Sequence, residues 1–251
     1  FAFQLVLPPW FTLAEHESLA STNDEAKRLA AEDGAPDGTL VWAHSQTAGR
    51  GRQNRLWISE PGNLFCSVLL RPDCAPDRAA EIGFAVPLAG LETLASLSNN
   101  LDLSLKWPND ILAAGKKVGG ILMESSLRDG AVDWVVAGIG LNLASHPDGT
   151  EFPATSLKAA GATALPEDAL AAFCSRFEHW YGRWREEGFQ PICEAWLAKS
   201  HPPGTPLRVR RADGDVSGAF HGLDESGALL LDRAGKIERL DSGDVFFAGQ
   251  E

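Results

Sequence analysis

The chain has 251 residues, 44% hydrophobic and 22% charged, with 8 Trp and 12 Phe. That is material for one large domain, or a large one and a small one, and it leaves little room for extensive disorder. A net charge of −12 argues against broad binding to DNA, RNA or an anionic membrane. No apolar run reads as a membrane span of ~20 residues. The four cysteines form no CxxC pair, which predicts reduced buried thiols in a cytoplasmic protein rather than a zinc site or a disulfide framework.

In chain order, "FAFQLVLPPW" (1–10) is apolar but lacks the basic start and cleavage site of a signal peptide, and it predicts a segment packing on the edge of the body. "STNDEAKRLAAED" (21–33) predicts a short helix, with Thr22 and Glu25 as a capping box and Gly34 as its stop. "TLVWAHSQ" (39–46) and "NLFCSVLLR" (63–71) read as strands, the second fully buried. Residues 77–98 are apolar at helical spacing, and Pro87 within them predicts a kink. "LSLKWPND" (103–110) reads as a strand ending in a Pro-Asn-Asp turn. "GGILMESSL" and "AVDWVVAGIGLN", joined by "RDG", read as a hairpin. Residues 166–187 predict an amphipathic helix whose stripe of Leu170, Phe173, Phe177, Trp180 and Trp184 belongs to the core. "HPPGTP" (201–206) reads as a linker, followed by short β-type runs that predict a small β-barrel of ~45 residues.

The chemistry concentrates in "AGRGRQNRLW" (48–57), three arginines among glycines with no acid. Glycine allows a ligand close to the backbone, and arginine offers a fixed fork of donors to carboxylate or phosphate. The window lacks the GxxxxGK[ST] of a phosphate-cradling P-loop, and alone it also reads as an exposed basic loop. It is joined by "KWPNDI" (106–111), by "KKVGGILME" (116–124), where Gly119 and Gly120 interrupt a strand, and by "GIGLN" (138–142). Glycines inside strands suggest a ligand lying close to the backbone.

"STN", "QTAGRGRQNRLW", "KWPNDI", "KKVGGILME" and "GIGLN" stand in the order and spacing of bacterial biotin protein ligases, which the chain resembles motif by motif over residues 15–145. Lipoate–protein ligases share the fold but differ around the arginine loop. The resemblance implies an α+β fold: a mixed β-sheet catalytic domain covered by helices, class II synthetase-like, over 1–201, and an SH3-like β-barrel over 202–251. It implies a two-step reaction, in which biotin and MgATP give biotinyl-5′-AMP and a lysine of a biotin carboxyl carrier domain of a biotin-dependent carboxylase then takes the biotin. It places Ser21, Thr22, Asn23, Gln46, Gly49, Arg50, Gly51, Arg52, Trp57, Lys117 and Gly120 at biotin. It places Arg50, Arg52, Arg55, Lys106, Asn109, Asp110 and Asn142 at the nucleotide, and Lys117 and Arg52 at the reacting carboxylate and phosphate. Mg²⁺ is expected with ATP rather than on a protein site, since the histidines show no ligand spacing. The family's arginine loop usually has glycine where this chain has Asn54; Asn is the residue that best tolerates the left-handed conformation after glycine. The motifs begin too near the start of this sequence for the N-terminal DNA-binding domain of bifunctional members, so no DNA partner is expected. Exposed sheet edges could pair two subunits or dock the acceptor, and both stay open, as do a lipoate or octanoate ligase and an RNA-binding protein with a basic loop.

Overall fold

The computed structural model describes residues 5–32, 34–98 and 100–247. The chain forms, in order, β1 (Thr12–His16), α1 (Thr22–Glu32), β2 (Thr39–Ala43), a 3-10 turn (Arg52–Asn54), β3 (Leu64–Leu70), α2 (Pro76–Leu97), β4 (Leu103–Lys106), β5 (Asp110–Ala113), β6 (Lys116–Arg128) and β7 (Ala131–Leu141). There follow α3 (Pro166–Glu187), α4 (Gln190–Ala198), β8 (Pro206–Arg211), β9 (Gly214–Leu223), β10 (Leu229–Arg233), β11 (Lys236–Leu240) and β12 (Asp244–Phe247).

Seven strands form one sheet in the order β1-β2-β3-β7-β6-β5-β4. β1 and β2 run parallel and the other neighbours antiparallel, so the sheet is mixed, as expected. β2, β3 and β7 read as apolar runs because both of their faces are covered. Trp42, Cys66, Val68, Ala137 and Ile139 face a core filled by α2, α3 and α4, while Val41, Leu69 and Val136 face Ala26 and Ala30 of α1. α2 is long and apolar enough to cross a membrane by length and composition, which the sequence reading did not register, yet most of it is buried in the protein. It runs from Pro76 to Leu97 with Pro87 inside it. It lies so near the sheet that a Cβ on Gly90 would come within 2.6 Å of Ile111 and 2.7 Å of Ile139. The α3 stripe is core, as expected: Phe173, Phe177, Tyr181 and Trp184 stack in sequence with ring centroids 5.7 Å apart.

One local reading changes. The cap of α1 is Ser21, whose Oγ lies 3.5 Å from the Asp24 N–H, while Glu25 pairs with Arg28 instead of reaching back. Thr22 is thereby released from capping, and its hydroxyl turns inward. "KWPND" forms the expected turn, a tight hairpin between β4 and β5 that pairs Lys106 directly with Asp110.

The remaining strands form an antiparallel sheet in the order β11-β10-β9-β8-β12. Among the described residues it is open, with β11 and β12 at its edges. It is tied to the larger sheet by the KWP segment: Lys106 Nζ donates to the Val245 carbonyl at 3.0 Å, and Trp107 Nε1 donates to that of Gly227 at 3.0 Å. Leu5, Leu7 and Trp10 pack on the core as the apolar start suggested. Residues 1–4, Asp33 and the tail of the last β-type run, 248–249, lie outside the described residues.

Candidate active site

One cavity of about 290 Å³ opens on the face of the large sheet away from α2 and α3. Ser21, Thr22, Asn23, Gln46, Arg50, Gly51, Arg52, Arg55, Trp57, Lys106, Asn109, Asp110, Lys117, Gly120 and Asn142 all line it. Of the candidate residues Gly49 alone does not. It sits behind the wall, where a Cβ would come within 2.5 Å of both Ser59 Oγ and the Trp57 carbonyl.

The alternation of β6 and β7 explains their glycines. A Cβ on Gly140 would lie 2.6 Å from the Trp57 indole, and one on Gly120 would lie 3.0 Å from both Trp57 and Lys117. These glycines therefore make room for the protein's own Trp57. Gly119 points to the opposite face, where a Cβ would meet Leu141 at 2.7 Å; its absent side chain serves helix-side packing. Trp57 Nε1 is buried without a hydrogen-bond partner among the described residues.

The cavity has a neutral floor. Gln46 Oε1 accepts from the Thr22 N–H at 2.8 Å, and Gln46 Nε2 donates to Ser59 Oγ at 2.9 Å, which orients the amide. Ser67, buried under the floor, lies 2.7 Å from the Thr22 hydroxyl and 2.6 Å from Asn23 Oδ1. Asn23 Nδ2 donates to Glu124 at 2.8 Å and to the Leu122 carbonyl at 3.3 Å.

Along the rest of the cavity wall lie the cationic side chains. The arginine loop closes on itself, with Gly51 N–H donating to the Arg55 carbonyl at 2.7 Å and Trp57 N–H to that of Gly49 at 2.9 Å. Asn54, standing where the family's loop usually has glycine, takes φ +57, the left-handed conformation that Asn tolerates best next to glycine, and Gln53 beside it takes φ +54. Each arginine has an acid to face. Arg50 pairs with Asp24 and lies 3.6 Å from Glu124. Arg55 pairs with Asp244 at 2.7 Å. Arg52 bonds Asn109 Oδ1 at 3.4 Å and the Gly243 carbonyl at 3.3 Å, with Asp244 at 3.9 Å. Burial draws the Arg52 pKa down, against the pull of Asp244 and Asp110.

Asp110 lies between two ammonium groups, Lys106 at 2.9 Å and Lys117 at 2.5 Å, one to each oxygen. Burial by itself would raise its pKa; the two lysines outweigh that and hold the carboxyl well below the usual range. For Lys106 burial dominates and draws the pKa down despite Asp110. The two shifts oppose each other, and that of Asp110 governs because both its oxygens touch an ammonium. Lys106 Nζ also sits 3.8 Å from the centroid of Phe152, and Lys117 Nζ 5.3 Å from that of Trp57. Asn142 is turned aside: its amide donates to the Thr155 carbonyl at 3.1 Å.

Sequence reasoning missed the contribution of the small sheet, from which Asp244, Val245 and Phe246 line the cavity, and that of the 147–154 loop, with Glu151 and Phe152. It also passed over Ser67, although a lone serine in a buried apolar strand is itself a signal, since a buried hydroxyl needs partners.

Residues 16–142 match the model of the biotin/lipoate A/B protein ligase family, and residues 204–248 match that of the biotin protein ligase C-terminal domain. The chain belongs to the biotin/lipoate A/B protein ligase family. Within it, the similar proteins are biotin ligases. The chain is 37% identical to the biotin–[acetyl-CoA-carboxylase] ligase of Paracoccus denitrificans, over 91% of this chain and 98% of that one. It is 36% identical to the bifunctional ligase/repressor BirA of Bacillus subtilis, over 93% of this chain and 73% of that protein. A biotin protein ligase from Aquifex aeolicus, solved in complex with biotin and ATP, superposes with a TM-score of 0.79 at 28% identity, covering 94% of this chain and 97% of the other.

Proposed function

We propose that the protein is an ATP-dependent biotin protein ligase that forms biotinyl-5′-AMP and passes the biotin to a lysine of a biotin carboxyl carrier domain. The observation that carries this reading is the make-up of one cavity: a neutral hydrogen-bonding floor at Thr22 and Gln46, and five cationic side chains, Arg50, Arg52, Arg55, Lys106 and Lys117, along the rest of its wall. In the first step a biotin carboxylate oxygen bonds to the α-phosphorus of ATP and the bond to the β-phosphate breaks, releasing pyrophosphate. Two anions must meet, and fixed cations lower that barrier because they need no reorganisation as charge shifts. Lys117, drawn from Asp110 by the arriving carboxylate, faces the junction, and Arg52 faces the phosphate that remains. Arg50 and Arg55 trade their carboxylates for ligand anions. In the second step the acceptor amine bonds to the acyl carbon, AMP leaves and the amine proton is lost.

Among the described residues no three His, Cys, Asp or Glu side chains gather as a metal site, and both Asp110 oxygens are engaged by lysines. These donors suit phosphate, and Mg²⁺ would enter with ATP and would neutralise charge on the leaving pyrophosphate. We further propose a division into a catalytic domain over 1–201 and an appended domain over 202–251, supported by the two separate sheets and the two separate family matches. A cytoplasmic location suits the four free thiols, and the charge of −12 speaks against a DNA partner. The test is pyrophosphate release from ATP with biotin, lipoate or octanoate, followed by transfer to a carrier domain. Release with biotin alone, and label on the carrier lysine, is expected; release with lipoate or octanoate and none with biotin overturns the reading.

A further inference from the structure

The cavity floor contains a chain of hydroxyl and amide groups whose proton directions can be counted. Asn23 Nδ2 faces two acceptors, Glu124 and the Leu122 carbonyl, so the amide orientation is set and Oδ1 must accept. Ser67 Oγ lies 2.6 Å from that Oδ1, and only its own proton can fill the gap. The 2.7 Å contact between Ser67 and Thr22 therefore takes its proton from Thr22. Gln46 is set independently, with Oε1 on the Thr22 N–H and Nε2 on Ser59, whose own proton goes to the Trp57 carbonyl at 3.0 Å. Three contacts thus compete for two hydroxyl protons, and the longest, from the Thr22 hydroxyl to Gln46 Oε1 at 3.2 Å, is the one that gives up its proton to the shorter pair. The Thr22 and Gln46 oxygens both keep lone pairs beside the cavity.

We infer that Ser67 is a positioning residue that makes the Thr22–Gln46 edge an acceptor-only surface, and so sets the preference for a head group carrying N–H donors, the ureido ring of biotin, over the apolar heads of lipoate and octanoate. The inference rests on the ligase reading above. The fold makes room for the arrangement: Ser67 is fully buried, and a Cβ on Gly138 of the neighbouring strand would fall 2.0 Å from Asn23 Oδ1. A ligand N–H fills the acceptor edge. A dithiolane or an alkyl chain leaves both oxygens desolvated and unpaired, which is the strongest form of rejection a small pocket offers.

Ser67→Ala removes the acceptor for the Thr22 proton. That proton turns to Gln46 Oε1, whose second lone pair is then used up, and one acceptor on the floor is lost. The KM for biotin in pyrophosphate release should rise about tenfold, the size of one hydrogen bond, while the KM for ATP and kcat at saturating biotin stay within about twofold. The discriminating probes are carbamate analogues of biotin, with one ureido N–H or the other replaced by ring oxygen. Against the analogue lacking the donor that faces Gln46 Oε1, Ser67→Ala should cost no more than about twofold. Ser67→Cys keeps the shape with a weak S–H donor and should fall between wild type and alanine; it also carries the test if the alanine variant does not fold. Equal losses on biotin and both analogues, or no loss on biotin, overturn the assignment of Ser67 and leave the ligase reading standing. Wild type that releases pyrophosphate with lipoate but not biotin overturns both.

Discussion

Lys117 sits where one side chain can serve two states. In the empty cavity its ammonium rests 2.5 Å from Asp110 and over the Trp57 ring, on a side chain one-quarter exposed. An arriving carboxylate can draw it from Asp110 without stranding that acid, because Lys106 still holds the other oxygen at 2.9 Å. Lys117→Ala should thus spare the fold and slow adenylate formation by roughly 10- to 100-fold, from the ~1.5–3 kcal/mol of a charge-assisted contact. Pyrophosphate release beside a thermal melt reads both, and a near-wild-type rate removes Lys117 from the reaction. That such residues share one cavity was legible through the motifs that carry the family resemblance, where lysines and arginines stand beside strand glycines. Asp244 was not: it meets Arg55 across 189 positions of sequence, and nothing in "SGDVFF" sets it apart from a turn acid. The glycines were legible as close approaches, but what approaches Gly140 and Gly120 is Trp57.

The arginine loop is the element where sequence and structure differ most in meaning. Three arginines without an acid suggest a segment that repels itself. Folding answers the repulsion from elsewhere, with Asp24 of α1, Glu124 of β6 and Asp244 of β12. The loop's apolar anchorage to the body is narrow. Leu56 is 74% exposed and Ile58 44%, and their alternation leaves Trp57 as the inward anchor. Such a segment opens at low cost and should be stilled by a ligand whose anion replaces the carboxylates. Trypsin cleavage at Arg50, Arg52 and Arg55 should slow when biotin and ATP are added together, and slow less with biotin alone; identical cleavage patterns throughout would show that the loop does not close. Longer elements were read well, because α2 and α3 carry six turns of apolar spacing and β3 and β7 a continuous apolar run. β1, β5 and α4 were not read; β2 and β4 are as short as the first two, but TLVWA is an apolar run and LSLK alternates, whereas TLAEH is mostly polar, DILA follows directly on the turn, and α4 has 9 residues with proline in its first turn.

At the scale of the molecule, the cavity belongs to two sheets, and the contacts joining them run through the same residues that face the proposed substrates. Lys106 and Trp107 bind backbone carbonyls of the small sheet, and Asp244 of that sheet binds Arg55 and Arg210 and lies near Arg52. The junction is therefore electrostatic as well as packed, and it should show a pH signature. Partial burial raises the Asp244 pKa, but the arginines around it outweigh burial and bring it below the 3.8 of a free aspartate. The folded protein thus binds fewer protons at this site than the unfolded chain, and the stability it contributes is present above about pH 5 and lost as pH falls through the folded pKa. Asp244→Asn keeps an oxygen but leaves Arg55 and Arg52 without their carboxylate, while Arg210 keeps Glu151. At pH 7 the variant should melt a few degrees below wild type, on the scale of about 2–4 °C per kcal/mol for a chain of this length. As pH is lowered from 6 towards 3 the two melting curves should converge, because wild type protonates the group the variant lacks. Tryptophan fluorescence melts across that range measure the gap, and a gap that stays constant with pH would mean that Asp244 stabilises the junction through its shape rather than its charge.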